Sequence, residues 1–199
     1  MEALRARYSM KPSQRVSITS IMTALALVGN YSLVGIPNVE LGSTILFTTA
    51  FVFGFPMGVT CVLLMSIIYA SFNPWGPFVP HIWLTQVIGW LFMVAVGAIM
   101  GNRVTENSSG EPQRQELAGV GAFVTVFYDL ITTLGYSWAF SVPYSVALIS
   151  LLPFMIIHVV SNTLIFAAVT PRINSILQTQ FLSAIWVSPT EPLQELSEE

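Results

Sequence analysis

The sequence predicts an all-α, polytopic integral membrane protein with six transmembrane helices and with both termini in the cytoplasm. Three observations lead to this prediction: the composition, the lengths of the apolar segments and the distribution of the basic residues. Of the 199 residues, 54% are hydrophobic and only 9% are charged, whereas soluble domains carry about 25% charged residues. Most of the protein surface is therefore expected to face lipid.

The chain begins with a basic segment, residues 1–15, which we expect on the cytoplasmic side because basic residues collect there. The apolar run 16–35 follows. It is too long for the hydrophobic region of a cleavable signal peptide, and it lacks a small-residue cleavage site. Residues 16–35 are therefore predicted to form the first span.

The next apolar stretch, residues 41–72, would be about 48 Å long as a single helix. That is too long for one crossing of a hydrocarbon core of about 30 Å and slightly short for two. Residues 54–58 interrupt the stretch with the sequence Gly-Phe-Pro-Met-Gly, which favours a break because proline removes a backbone donor and glycine permits a sharp turn. We therefore predict spans at about 41–55 and 57–72.

Three further stretches, 81–101, 117–137 and 144–169, are each long enough to cross a bilayer. With six crossings and a cytoplasmic N-terminus, all seven basic residues lie on the cytoplasmic side, as the positive-inside rule requires. Five crossings would instead export Arg103, Arg114 and Arg172. The polar stretch 102–116 is predicted to be a solvated cytoplasmic loop.

After Arg172 the continuous apolar sequence of the last predicted span gives way to alternating apolar and polar residues. Apolar residues recur at helical spacing as far as residue 185, which predicts an amphipathic helix on the inner leaflet. An acidic tail of low hydrophobicity follows and is predicted to be disordered. The predicted organisation is thus a basic segment 1–15, a transmembrane domain 16–171, and a cytoplasmic helix and tail 172–199.

The predicted outer loops, at 36–40, 73–80 and 137–144, are short, contain proline and are mostly aromatic or apolar. Two interpretations are open. A single Trp or Tyr there is best explained by the aromatic belt at the lipid headgroups. Several such loops on one side favour a stiff binding surface, because proline lowers the conformational entropy of the loops.

Two ionisable residues, Asp129 and His158, lie at membrane depth. Asp129 is placed about 13 Å below Trp138, and His158 about 21 Å below Tyr144, so the two side chains are predicted to approach each other inside the bundle. Ionisable groups in a membrane commonly serve a functional site. The alternative is a buried pair that only holds spans five and six in register.

Other polar residues lie near this pair in the predicted bundle. Asn162 is one turn below His158, Gln86 and Trp90 share a face of span four, and Asn30 lies in the outer half of span one. They are either ligand-binding groups or interhelical hydrogen-bonding residues.

Several classes of protein are excluded. The net charge of −3 and the scattered basic residues argue against nucleic-acid binding, and the lone Cys61 excludes a disulfide framework. His81 and His158 are at different predicted depths, which argues against a histidine-rich metal centre. The sequence has no metalloprotease, hydrolase or phosphate-binding loop motif. We therefore expect no enzyme activity, catalytic residue, metal or cofactor, and any ATP hydrolysis would belong to separate subunits.

Several segments resemble the substrate-specific S component of energy-coupling factor (ECF) type ABC transporters. They are Ile-Pro-Asn-Val-Glu-Leu at 36–41, Gly-Pro at 76–77, Trp-Leu-Thr-Gln-Val-Ile-Gly-Trp at 83–90, Tyr-Asp-Leu-Ile-Thr at 128–132 and Pro-Phe-Met-Ile-Ile-His-Val-Val-Ser-Asn at 153–162. The resemblance covers about residues 16–171. It departs from the family pattern at Ser20, where the small-residue motif usually has Ala, and at Met155, where some relatives carry an acidic residue.

The resemblance implies a subunit that captures a vitamin or related micronutrient, cobalamin-like or another B vitamin, at the outer face of the cell membrane. It also implies partners, namely a transmembrane coupling subunit that docks at Ser20 and Ala24 and two ATPase subunits. The subunit would topple in the bilayer to release its ligand. We predict stacking by aromatic residues and orientation by polar ones. The predicted substrate-binding residues are Asn38, Glu40, Asn73, Trp75, Trp83, Gln86, Trp90, Asp129, Tyr136, Trp138, His158 and Asn162.

Two alternative functions stay open. One is a stand-alone proton-coupled carrier that uses Asp129 and His158, and the other is a membrane scaffold protein that transports nothing.

Overall fold

Six helices follow one another along the chain, and the computed structural model describes residues 10–74, 76–106 and 112–177. Within these ranges no residue is in a β-strand, so the predicted all-α class is confirmed. The helices are α1 (Pro12–Ser32), α2 (Gly42–Phe53), α3 (Phe55–Ser71), α4 (Pro80–Glu106), α5 (Arg114–Phe140) and α6 (Tyr144–Ile176). They correspond in order to the six predicted spans.

The helix boundaries follow from local sequence. α1 begins at Pro12, whose fixed φ and missing N–H suit the first helical turn, and the backbone N–H of Lys11 donates to the Gln14 side chain at 2.9 Å. Gly54 has a φ of 91°, which residues with a Cβ rarely adopt. The break between α2 and α3 therefore falls at Gly54, inside the predicted interruption.

Neighbouring helices run in opposite directions, because residue numbers rise along one helix as they fall along the next. Asp129 contacts His158 and Thr125 contacts Asn162 across α5 and α6. α1 and α3 run parallel, as do α2 and α4. The contacts that fix these two directions are Thr19 with Cys61, Tyr31 with Phe72, Ser43 with Trp90, and Phe47 with Gly97.

The alternating directions place the described basic residues at one end of the bundle, called here the basic end. These residues are Lys11, Arg15, Arg103, Arg114 and Arg172. The described parts of the connections, 33–41, 72–74, 76–79 and 141–143, lie at the opposite end and contain no Lys or Arg. The five described basic residues are therefore segregated at one end of the bundle, as the sequence predicts, whereas Arg5 and Arg7 lie outside the described residues.

Three helices are long and apolar enough to cross a membrane: Pro80–Val104, Arg114–Phe140 and Tyr144–Ile176. The last of these turns large apolar side chains outward, including Ile149 at 72% and Leu164 at 65% exposure. Such a surface is suited to lipid rather than to water. These helices indicate a membrane protein, whereas α2 and α3 are apolar but shorter.

The short α2 lies at the centre of the bundle. All twelve of its residues are buried, and it packs against α1, α3, α4 and α6. At about 18 Å it is shorter than a bilayer core because the connection 33–41 extends into the bundle before α2 begins. A Cβ on Gly42 would lie 2.1 Å from Asn30 Oδ1, so only glycine permits this close approach of α2 to α1.

Some predicted features fall outside the described residues. The basic segment is described only from residue 10. The predicted extent of the polar loop, 102–116, is wrong, because α4 continues to Glu106 and α5 begins at Arg114; residues 107–111 lie outside the described residues. Beyond Arg172, α6 continues unbroken to Ile176, and the rest of the predicted amphipathic helix and the acidic tail lie outside the described ranges. Ser20 and Ala24 are exposed on the outer face of α1.

Candidate binding site

A buried ionisable pair lies between α5 and α6. His158 Nδ1 and Asp129 Oδ1 are 2.7 Å apart, and each residue is only 5% exposed. This confirms the prediction that the two side chains approach each other inside the bundle.

Glu40 adds a second carboxylate to the pair. Its Oε2 accepts a hydrogen bond from the Ser43 backbone N–H at 2.8 Å and so caps the start of α2. Its Oε1 lies 3.8 Å from His158 Nε2, and the imidazole is therefore flanked by two carboxylates. Burial opposes ionisation of Glu40, but the neighbouring His158 and the Ser43 hydrogen bonds outweigh it and lower the pKa of this carboxyl.

Each of these three side chains has a buried polar atom without a hydrogen bond to any described residue: Glu40 Oε1, Asp129 Oδ2 and His158 Nε2. Buried polar atoms in folded proteins are usually hydrogen-bonded. The cluster therefore has hydrogen-bonding capacity that the described part of the fold does not use.

The cluster forms part of the wall of a cavity of about 220 Å³, called here the polar cavity. Its wall combines seven polar or charged groups from five parts of the chain, Asn30 among them, with the aromatic rings of two tyrosines and a tryptophan. The residues concerned are Asn30, Asn38, Glu40, Gln86, Asp129, Thr132, His158, Tyr69, Trp90 and Tyr128. The apolar residues Val34, Ile36 and Val39 complete the wall.

The connection 33–41 contributes to the cavity and is anchored to α6 by two hydrogen bonds. Asn38 Nδ2 donates to the Phe154 carbonyl at 3.1 Å, and Ser161 Oγ donates to the Asn38 carbonyl at 3.1 Å. Asn38 has a φ of 58°, a left-handed conformation that asparagine tolerates better than most residues. The residue therefore both shapes the connection and attaches it to the helix.

The aromatic part of the wall is held in place by contacts between rings. Trp90 and Tyr128 have ring centroids 5.4 Å apart, and Tyr128 meets His158 edge-on at 5.7 Å. Trp90 Nε1 donates to Ser43 Oγ at 3.2 Å. A planar ligand entering the cavity would thus meet aromatic surfaces whose orientation is already fixed.

A second cavity of about 410 Å³, called here the side cavity, adjoins the first. Asn38, Asp129 and Thr132 line both cavities. The remaining wall of the side cavity is largely apolar and includes Leu151, Phe154 and Met155. Together the cavities offer a polar, aromatic chamber beside an apolar one.

The structure brings half of the predicted substrate-binding residues together in the polar cavity. These are Asn38, Glu40, Gln86, Trp90, Asp129 and His158. Five others, Asn73, Trp83, Tyr136, Trp138 and Asn162, are not among the residues that line the two cavities. Trp75 lies outside the described residues.

The aromatic residues that lie away from the cavities pack against their neighbours. Trp138 is 61% exposed and meets the His81 ring edge-on at 4.2 Å. Trp83 lies against Phe78, and Tyr136 lies against Phe140. Of the four described aromatic residues that were predicted to stack on the ligand, Trp83, Trp90, Tyr136 and Trp138, only Trp90 lies in the wall of either cavity.

Asn162 illustrates the other interpretation that the sequence left open. It is fully buried, and its Nδ2 donates to Thr125 Oγ1 at 3.0 Å. This is an interhelical hydrogen bond between α6 and α5.

Besides the apolar Val34, Ile36 and Val39, three wall residues of the polar cavity were not predicted: Tyr69, Tyr128 and Thr132. Tyr128 and Thr132 flank Asp129 within one helical turn, and this proximity is a signal that could have found them. No comparable signal marks Tyr69, because its position depends on how α3 packs.

The described residues contain no group of three or more His, Cys, Asp or Glu side chains suited to a metal ion. Comparisons of the chain with protein-family models, with curated proteins and with solved structures found no match.

Proposed function

We propose that this chain is the substrate-binding membrane subunit of an ATP-driven ECF-type importer and that it captures a vitamin or related micronutrient. The observation that carries the proposal is the polar cavity, in which a buried Asp129–His158 pair and oriented aromatic rings surround about 220 Å³. A concave chamber lined by aromatic rings and a few convergent polar groups is typical of small-molecule binding sites.

The position of the cavity fits capture from outside the cell. It lies beside the connection 33–41, at the end of the bundle opposite the basic end. Basic ends of membrane proteins face the cytoplasm, so the cavity belongs to the extracellular half in this proposal. The resemblance of residues 16–171 to S components supports the same orientation.

The volumes of the two cavities limit the size of the ligand. Pockets that bind drug-sized ligands have volumes of about 300–1,000 Å³; the polar cavity is smaller than that range, whereas the side cavity falls within it. A ligand with one or two planar rings and a less polar extension suits these volumes better than a cobalamin-like macrocycle.

The proposal includes a topology and partners. The chain crosses the cell membrane six times, and both termini are cytoplasmic. The second crossing is made by the connection 33–41 together with α2, which is too short to cross a bilayer alone. The exposed Ser20 and Ala24 on α1 provide a small-residue face on which a transmembrane coupling subunit can pack closely. Two ATPase subunits supply the energy, and toppling of the bundle opens the cavity inward.

The binding experiment uses the purified full chain in lipid nanodiscs. Titration with a panel of B vitamins, followed by intrinsic tryptophan fluorescence, is expected to give a saturable change for at least one compound because Trp90 lines the cavity. Absence of a signal and of a calorimetric heat for every compound contradicts the capture function.

A second candidate, a stand-alone proton-coupled carrier, is favoured by the buried Asp129–His158 contact of 2.7 Å, since such pairs occur in proton relays. The two functions make opposite predictions in proteoliposomes. The importer subunit takes up ligand only when the coupling and ATPase subunits and ATP are present. The carrier takes up ligand alone under a pH gradient and stops when Asp129 is replaced by Asn.

The topology has its own test. Single cysteines at Arg103, at Arg172 and at Ser141 are introduced into a Cys61→Ser background, and intact cells are treated with a membrane-impermeant maleimide. We expect labelling at residue 141 only. Labelling at either arginine position contradicts the six-span topology and with it the extracellular placement of the cavity.

A further inference from the structure

We propose that the captured ligand is a planar organic cation, held between the carboxylates of Glu40 and Asp129 and the rings of Trp90 and Tyr128. This inference rests on the proposed function and specifies its substrate class.

The first argument is the charge balance of the polar cavity. Glu40 and Asp129 contribute two carboxylates, and His158 contributes one imidazole. The start of α2, which Glu40 caps, adds a partial positive charge of about one half. No described Lys or Arg lines the polar or the side cavity. The wall therefore stays negative even when His158 is protonated, and this charge favours a positive ligand.

The second argument concerns hydrogen bonding. Glu40 Oε1 and Asp129 Oδ2 are buried acceptors that receive no hydrogen bond from a described residue, although Glu40 Oε1 lies 3.8 Å from His158 Nε2. Burying such a group without a partner is costly, and an ionised carboxylate accepts hydrogen bonds but donates none. A ligand bearing N–H donors satisfies both atoms, whereas a carboxylate or phosphate ligand is repelled by them.

The third argument is the aromatic wall. The faces of Trp and Tyr attract cations within about 6 Å of the ring centroid, most strongly where water is excluded. Trp90 is only 4% exposed and Tyr128 only 9%, and both stand in the same wall as the carboxylates. A flat cation can therefore stack on a ring while its donors reach the carboxylates.

A metal ion explains the same wall less well. Glu40 Oε1 faces the Nε2 edge of the His158 ring, 3.8 Å from that nitrogen. Asp129 contacts Nδ1 at the other edge of the ring. Two protein ligands on one side do not make a metal site of the usual coordination number. The adjacent aromatic rings have no part in metal binding, whereas they suit an organic cation.

The test compares three probes of nearly equal size and shape: 1-methylnicotinamide, which is a cation, nicotinamide, which is neutral, and nicotinate, which is an anion. Each is titrated into the full chain in nanodiscs and followed by tryptophan fluorescence and calorimetry. We expect the cation to bind at least tenfold more tightly than the neutral probe and the anion to bind most weakly. Among the vitamins that bind, cationic ones are likewise expected to bind more tightly than neutral ones, and anionic ones most weakly.

Two variants test whether the preference for the cation arises from the carboxylate of Glu40. Glu40→Gln removes one charge from the cavity wall and is expected to reduce the preference for the cation at least threefold. Glu116→Gln is the same chemical change at an exposed position of α5 and is expected to leave the preference unchanged. The comparison of probes on the unaltered chain stands even if Glu40→Gln does not fold.

The outcomes separate this inference from the proposed function. Equal or tighter binding of the neutral or anionic probe, or a neutral or anionic vitamin as the tightest ligand, overturns the inference and leaves nutrient capture intact. An effect of Glu116→Gln as large as that of Glu40→Gln also overturns it. Failure of all three probes and of every vitamin to bind overturns both.

Discussion

Replacement of Asp129 with Asn measures how much the buried charged pair stabilises the bundle. Asn has almost the same shape as Asp, so the change removes the charge and keeps the packing. A hydrogen bond to a charged group contributes about 1.5–3 kcal/mol and a neutral one about 0.5–1.5 kcal/mol. Because His158 Nδ1 lies 2.7 Å from the carboxylate and both groups are buried, we expect a loss of about 1–2 kcal/mol.

This loss converts into a measurable shift. For a chain of 199 residues, 1 kcal/mol corresponds to about 2–4 °C in the midpoint of thermal unfolding. Asp129→Asn is therefore expected to lower the midpoint by about 2–8 °C. Asp129→Ala also leaves His158 buried without its partner, which costs about 3–5 kcal/mol, so its midpoint is expected to fall further.

The assay is thermal unfolding of detergent-purified protein, followed by far-UV circular dichroism. Ser150→Ala is the control on α6, because this serine is exposed and its hydroxyl bonds only within its own helix. Adding His158→Asn to Asp129→Asn completes a double-mutant cycle, with an expected coupling of about 1–3 kcal/mol. An unchanged midpoint for Asp129→Asn, together with additive effects in the cycle, refutes the reasoning.

Three further predictions concern the cavity and the helix packing. Trp90→Phe is expected to abolish most of the ligand-dependent fluorescence change, whereas Trp138→Phe, outside the cavity walls, retains it; the reverse result places the ligand elsewhere. A Cβ on Gly135 would lie 2.1 Å from a threonine hydroxyl of α4, whereas one on Gly119 meets nothing within 4 Å. Gly135→Ala should therefore lower the unfolding midpoint by the equivalent of about 1–3 kcal/mol, whereas Gly119→Ala should leave it unchanged or raise it, and equal effects contradict the packing of α4 on α5. Asn38→Ala loses the hydrogen bond to α6 and strains a left-handed residue, so hydrogen exchange in 33–41 should accelerate by about tenfold or more; unchanged protection contradicts the anchoring.

Much of the fold could be predicted because a bilayer restricts the choices of the chain. A spanning segment must satisfy its backbone hydrogen bonds internally, so long apolar stretches become helices. The break followed from Gly and Pro chemistry; it falls at Gly54, inside the predicted interruption 54–58 but two residues before the boundary predicted between the spans 41–55 and 57–72. The short and fully buried α2 was not predicted, because a helix that packs against lipid and a helix that packs against protein can have the same apolar sequence.

The candidate site was predicted in part, and the difference has a physical cause. Asp129 and His158 were found because charge is costly in a membrane, and no tertiary information is needed to notice that cost. Aromatic residues carry no such signal, since they are favourable both at the lipid headgroups and in a binding site. Trp90 and Trp138 therefore looked equivalent in the sequence, although one is buried beside the cavity and the other is exposed.

The sequence by itself determined the helical class, the order of the helices and the segregation of charge, because these depend on hydropathy, on helix-breaking residues and on where Lys and Arg occur. Only the tertiary structure decided that Glu40 joins the Asp129–His158 pair and that Tyr69 and Tyr128 share a wall with Trp90. These groups come from four helices and one connection, and their distances depend on how the helices pack. Helical periodicity fixes which face a residue occupies, but it does not fix which neighbour that face meets.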